Sequence, residues 1–567
     1  MNAILLAAIG LGAFALGYRF YSKFIAEKLY RLSEDFVTPA HELEDGIDFV
    51  PTNRFVLWGH HFAAVAGAAP ILGPAIAVIW GWLPAFLWVT LGTVFFAGIH
   101  DFGALWASVR HKGQSIGALT ETIVGKRARN VFMIVIFLLL LMVNATFAII
   151  IGELFVSTPS SVIPVWAVLP VAMAIGWGIY RKGLSLVWVT AIGVIVLYGT
   201  MFVGDAIPLE LPAQILGYGP EEQWVMILFI YAAIASILPV WLLLQPRDYI
   251  NGIQLFVGLA VLYTAVLIAN PTIVAPAINP NPPAGTDPLI PLLFVTIACG
   301  AISGFHGLVA SGTTSKQLNK ETDARFVGYL GSTGEGILAL ASIIACTAGF
   351  ATTADWTAFY SSGSIGGGMN GWVQGGGALV AQGLGLPAGF AGTLLAVMAI
   401  LFAATTMDAG VRLQRYIVQE WGQIYGLKFL TGRYLSTLVV VLCCVGLAFG
   451  VGEGGGSGGR IIWPLFGTTN QLLGALTLLV LSTLLMKLGR PVIYTLAPLS
   501  FLLVMTIWAL IFQLRKFYDQ GNYFLVGVDL IILGAAIWVA LEALGALARA
   551  RKEGLDRKAA EVFDSGV

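Results

Sequence analysis

Apolar residues in this chain run in long blocks instead of alternating with polar ones, so block length is the first signal. A span of about 20 apolar residues crosses the hydrocarbon of a bilayer, and about fifteen blocks approach that length. They lie near 2–18, 57–80, 82–108, 131–155, 161–179, 184–203, 224–244, 250–275, 289–310, 327–351, 387–407, 434–451, 461–486, 491–513 and 523–548. In lipid, backbone N–H and C=O groups must find partners inside the protein, which makes each block a predicted helix. The fold class expected is all-α, a polytopic membrane protein.

Two blocks are interrupted. Residues 59–74, GHHFAAVAGAAPILGP, put Gly67, Ala68, Ala69, Pro70, Gly73 and Pro74 inside the second one. Irregular backbone survives in a bilayer only where protein buries it or it lines a wet cavity. The run therefore predicts either a broken helix or a kinked one packed closely through small residues. The seventh block, within ASILPVWLLLQPRD, is interrupted by Ser236 and Pro239. It comes five spans later and runs the opposite way. That is the spacing of two inverted five-helix repeats, each opening with a discontinuous helix, as in LeuT-like transporters, whose substrate sits where the breaks meet. Gly67, Ala68, Ala69, Pro70, Gly73, Ser236 and Pro239 are thus the expected substrate-site wall.

Composition agrees: 58% hydrophobic and 11% charged residues over 567 positions exclude an ordinary soluble globular chain. Charge adds orientation, because cytoplasmic loops hold the excess of Lys and Arg. Strict alternation from an external N-terminus places all 30 of them on the cytoplasmic side except Arg460, Arg515 and Lys516. The C-terminus is then cytoplasmic. No basic residue precedes the first block, and Arg19 and Lys23 follow it, so it is expected to remain as an anchor. The external stretch 352–386, rich in glycine and free of basic residues, is where a re-entrant segment is expected. The formal net charge of +0 gives no sign of a nucleic-acid partner.

Ionisable side chains inside the blocks form a second pattern. His60 and His61 open the second, His100 and Asp101 sit late in the third, His306 lies in the ninth and Glu335 in the tenth. All fall in the cytoplasmic half on this topology. Such groups are costly in hydrocarbon, and histidine changes charge near neutral pH, so together they suggest a proton relay or inner gate. Adjacent histidines on a helix point about 100° apart, which argues against a metal site. Cys299, Cys346, Cys443 and Cys444 have no metal or redox spacing and are expected to be small core residues. Neither GxSxG nor HExxH occurs, so no catalytic residues and no cofactor are expected. The polar stretch 19–54 is too short for a signalling domain, which disfavours a sensor, and a channel would call for a repeated pore segment.

The motifs GHHFAAVAGAAPILGPAIA (59–77), GIHDFGALWASVRHKGQSIG (98–117), QPRDY (245–249), GFHGLVASGTTSKQL (304–318), TMDAGVRLQRYI (406–417) and WPLFGTTNQLLGALTL (463–478) together resemble the carbon starvation protein A (CstA) family of bacterial inner-membrane transporters. The resemblance implies import of small peptides, or alternatively pyruvate, under carbon limitation. It also implies an amino acid–polyamine–organocation superfamily core at 57–407, built from repeats near 57–203 and 224–407. Residues 1–56 would be an anchor helix with a cytoplasmic loop, and 408–567 accessory helices with a short tail. On that assignment the ninth span packs on the first broken helix, and Ser303, Ser311, Thr313 and Thr314 would offer oxygens to sodium if sodium, not a proton, were the coupling ion. Oligomeric state is left open.

Overall fold

The computed structural model describes residues 1–553 apart from 47, 183–184, 240, 362–364 and 452–457. The final residues of the expected cytoplasmic tail, 554–567, and the side chain of Arg460 lie outside the described residues.

Among the described residues, twelve helices are long and apolar enough to cross a membrane, 13 with the bent pair Arg54–Val65 and Ala69–Trp80. The about fifteen spans expected from block length alone are not reached by this measure. The two blocks that fall short are the seventh, whose helix is Pro220–Ile237, and the ninth, which is split into Leu289–Thr296 and Gly304–Gly312. Two helices also differ from expectation in extent. Ala388–Ile424 continues far past residue 407, so most of the loop expected at 408–433 is helix, and Leu244–Ala269 already begins at QPRD.

The connections gather on two faces. On one, Ala3 donates to Pro271 O (3.0 Å), Trp80 Nε1 to Asp287 O (2.9 Å), and Lys516 pairs with Asp287 (2.7 Å). On the other, Thr52 donates to Gln317 O (3.0 Å), Lys112 meets Glu42 (2.8 Å), Arg110 pairs with Glu321, and Arg490 donates to Leu29 O (2.9 Å). This second face carries most of the basic residues.

Helix Ile365–Leu384 explains the glycine-rich stretch. It lies across the helix ends of the first face, with Gly368 against Ile76, Gly375 against Ala345 and Gly383 against Ala265. A Cβ on Gly375 would stand 2.2 Å from Ala345 O, and one on Gly383 would stand 2.3 Å from Ala265 O, so only glycine lets the helix approach these backbones. Because the chain leaves and rejoins the same face, the direction of later spans is unchanged.

At the centre, Lys126–Ser157 packs along Ala388–Ile424 and along Gly458–Lys487. The last of these was expected to be accessory, but Ile462, Leu465, Leu472, Leu476 and Leu479 are fully buried. Cys299, Cys346 and Cys444 are buried as expected, whereas Cys443 is exposed.

Candidate functional site: two broken helices and a buried imidazole–carboxylate network

The first break lies where Ala66 leaves helical geometry (φ −76°, ψ 85°), and the halves on either side differ in direction by 53°. The second occupies residues 297–303, between Leu289–Thr296 and Gly304–Gly312. The two breaks meet. A Cβ on Gly73 would lie 2.6 Å from Thr296 O, and one on Gly300, which holds φ +92°, would lie 3.6 Å from Pro70 Cα. On the far side of the first break, Gly67 faces Thr406.

Unwinding frees backbone groups that lipid cannot satisfy, and neighbouring side chains take them up. Thr93 Oγ1 donates to Gly300 O (3.0 Å), Trp88 Nε1 to Ile297 O (3.0 Å) and Gln471 Nε2 to Phe294 O. Asn470 Oδ1 accepts from Phe305 N (3.1 Å). Thr93 opens a π-helical turn, Thr93–Ala97, immediately before His100 and Asp101. Such turns shift side-chain register and recur at functional sites.

Asp101 and His306 together join three elements. Asp101 Oδ1 is 2.7 Å from His100 Nδ1 and its Oδ2 is 2.7 Å from His306 Nδ1. His306 Nε2 is 3.1 Å from Glu335 Oε2. All four side chains are buried. With Asp101 hydrogen-bonded at Nδ1 and the Glu335 carboxylate 3.1 Å from Nε2, a charged His306 would be paired with a carboxylate on each side of its ring. One proton gained or lost here changes the charge of a contact that ties the third span to both the second broken pair and the tenth span. Small residues make room for the rings: Gly307 approaches His100, and a Cβ on Gly331 would stand 2.4 Å from His61 Cδ2.

His61 joins this neighbourhood through Nδ1 to Thr314 Oγ1 (2.9 Å), while His60 on the next position is exposed. The possible sodium ligands do not converge. Ser303 Oγ bonds with Asn470, Ser311 Oγ donates to Gly307 O (2.6 Å), Thr313 is exposed and Thr314 is held by His61. Ser236 and Pro239 lie at the end of Pro220–Ile237, a helix that packs on Lys126–Ser157, Ala388–Ile424 and Arg433–Gly450. Pro239 is exposed, and the carbonyls at this helix end are capped by arginines: Arg412 donates to Ala235 O (2.7 Å) and Leu238 O (2.6 Å), Arg415 to Ser236 O (2.8 Å). The break whose residues meet Pro70 and Gly73 is 297–303. Proline interrupts the seventh span near a helix end, whereas Gly300 and the freed carbonyls mark the true unwinding.

The chain matches the family described as Carbon starvation protein CstA over residues 2–365 and 348–509. It belongs to that family. Relatives include a "Peptide transporter CstA" of Campylobacter jejuni, 32% identical over 92% of this chain and 82% of the relative, and one of Bacillus subtilis, 31% identical over 95% and 96%. A "Pyruvate/proton symporter BtsT" of Escherichia coli is 31% identical over 90% and 81%. Among solved structures, a manganese transporter of Eremococcus coleocola is 13% identical, over 87% of this chain and 95% of that one, at a TM-score of 0.44.

Two charged residues of the family motifs were not among the expected site residues. Arg247 of QPRDY and Asp408 of TMDAGVRL form a buried ion pair, with Tyr231 donating to Asp408 Oδ2 (2.6 Å). By block length both fall just outside the spans, Arg247 between 244 and 250 and Asp408 past 407, where an arginine in water needs no partner. The helices run past those positions and carry the pair inside.

Proposed function

We propose that this CstA-family chain is a secondary active transporter that imports small peptides, or alternatively pyruvate, across the bacterial inner membrane by alternating access around its two broken helices, coupled to protons. The observation that carries this reading is the contact of Gly73 with Thr296 and Gly300 with Pro70, with the Asp101–His306–Glu335 network beside it. Broken helices that meet near mid-membrane present half-helix ends and free backbone groups to a substrate. The two halves run in opposite directions, which supports a LeuT-like inverted arrangement whose second broken helix is Leu289–Gly312 rather than the seventh span. The basic residues favour the second face as cytoplasmic and the N-terminus as external. The network serves as a proton-responsive lock at the inner gate. Relatives named for peptides and for pyruvate are similarly close, so identity does not choose between those substrates.

Uptake of radiolabelled dialanine, trialanine and pyruvate into proteoliposomes tests the reading. An inward proton gradient is expected to drive at least one of them above its external concentration, and a protonophore to abolish that. Accumulation driven only by sodium at constant pH would contradict the coupling; equilibration of every solute regardless of gradient would contradict active transport.

A further inference from the structure

A cavity on the opposite side of Ala388–Ile424 from Gly67 is walled by Trp166, Leu228, Tyr231, Leu401 and Ala404, with Arg247 as its one charged wall. Arg247 is 1% exposed. Its Nη1 is held by Tyr231 and Asp408, but Nε and Nη2 have no partner among the described residues. Trp166 Nε1 is also buried and unpartnered, and so is Asp408 Oδ1. Buried donors left without acceptors are costly, and a guanidinium fork is shaped to receive a carboxylate. Three unpartnered nitrogens on an otherwise apolar wall, beside a cavity of about 20 Å³, suit the oxygens of a single carboxylate, with the rest of the ligand lying outside this small space.

An anion added to this site changes its charge balance. Arg247 and Asp408 form a neutral pair, so a second carboxylate leaves a net negative charge in a low-dielectric interior unless a proton accompanies it. The charged and titratable groups facing Asp408 are Arg247 and Asp248 from Leu244–Ala269, Tyr231 from Pro220–Ile237, and Arg412 from its own helix; Lys126–Ser157 and Val162–Lys182 present Ile151 and Trp166. Arg412 is committed to the carbonyls of Ala235 and Leu238. The unpartnered Oδ1 of Asp408 is where a proton fits.

We propose that Arg247 and Trp166 bind the carboxylate of the transported molecule at a second station on its path, across Ala388–Ile424 from the broken helices, and that Asp408 takes one proton from solution as it yields the guanidinium. No covalent bond forms or breaks other than the new O–H on Asp408. The proposal rests on the transport reading above. It names a chemistry shared by a 2-oxo acid and a peptide C-terminus, which separate ligands distinguish.

The test is equilibrium binding to the purified full-length protein, using pyruvate, dialanine and the uncharged methyl ester of pyruvate between pH 5.5 and 8. For the carboxylate that binds, Kd is expected to rise about tenfold per pH unit in the alkaline limb, as linkage to one proton requires. In Asp408→Asn that slope is expected to vanish. Arg247→Gln should weaken the carboxylate by about 100-fold or more, and Trp166→Phe, which keeps the ring, by about tenfold. The methyl ester should be indifferent to all three changes. Binding by pyruvate alone, or by dialanine alone, fixes the source of the carboxylate and supports the site. Unchanged carboxylate affinity in Trp166→Phe and in a folded Arg247→Gln, or an unchanged pH slope in Asp408→Asn, overturns it even if wild-type uptake is intact. Failure of wild-type protein to transport any of these solutes would instead remove the transport reading.

Discussion

Asp101→Ala is expected to lower the stability of the purified protein by about 3–5 kcal/mol, the range for removing one partner from a buried charge contact. The side chain is fully buried and is the common acceptor of His100 and His306. Its loss leaves two ring nitrogens facing a hole and His306 with Glu335 alone. Asp101→Asn retains a carbonyl acceptor but turns an N–H toward one imidazole, so it should cost less, about 1–3 kcal/mol. Thermal unfolding in a fixed detergent, followed by intrinsic fluorescence, checks both. The ordering Ala worse than Asn worse than wild type is expected; an Asp101→Ala protein as stable as wild type would show that the network contributes nothing to the packing of the third span against the second broken pair.

Gly73→Ala should cost about 1–3 kcal/mol as overpacking and reduce transport far more than Gly67→Ala. The reason is what each new methyl group meets. At Gly73 it stands 2.6 Å from a carbonyl oxygen, Thr296 O, and 3.3 Å from Ile297 Cα, neither of which can rotate away. At Gly67 it meets Thr406 Oγ1 at 2.8 Å, and a side chain can yield. The two broken helices approach at the first of these positions, so forcing them apart there disturbs the arrangement in which their breaks face each other. Initial uptake rates of the two variants, normalised to folded protein, provide the comparison. Equal rates would mean that the Gly73 approach is not where the helices need to touch.

Much of the fold could be read from block length and charge because lipid imposes both. The broken second span was legible for the same reason: Gly67, Pro70 and Gly73 are hard to place in an unbroken, lipid-facing helix. Of the six ionisable residues grouped in the inner half, His100, Asp101, His306 and Glu335 lie together and His61 beside them, whereas His60 is exposed; the grouping follows from each buried one needing a polar partner away from lipid. The position of the second break was not legible. The seventh and ninth spans run in the same direction, so topology allows either, and proline at 239 was a louder local signal than Gly300. Proline there only ends a helix, whose last carbonyls Arg412 and Arg415 cap. Arg247 and Asp408 escaped notice because hydropathy ends a span at its first charges, whereas a helix whose charges are paired can extend further.

The most direct measurement compares pH-driven accumulation with substrate exchange in proteoliposomes containing wild-type, His60→Gln or His306→Gln protein. His306 sits between two carboxylates and His60 is exposed, so the account expects His306→Gln to lose at least about nine-tenths of gradient-driven accumulation while still exchanging labelled for unlabelled substrate, and His60→Gln to keep both. Full pH-driven accumulation by a well-folded His306→Gln protein would contradict it.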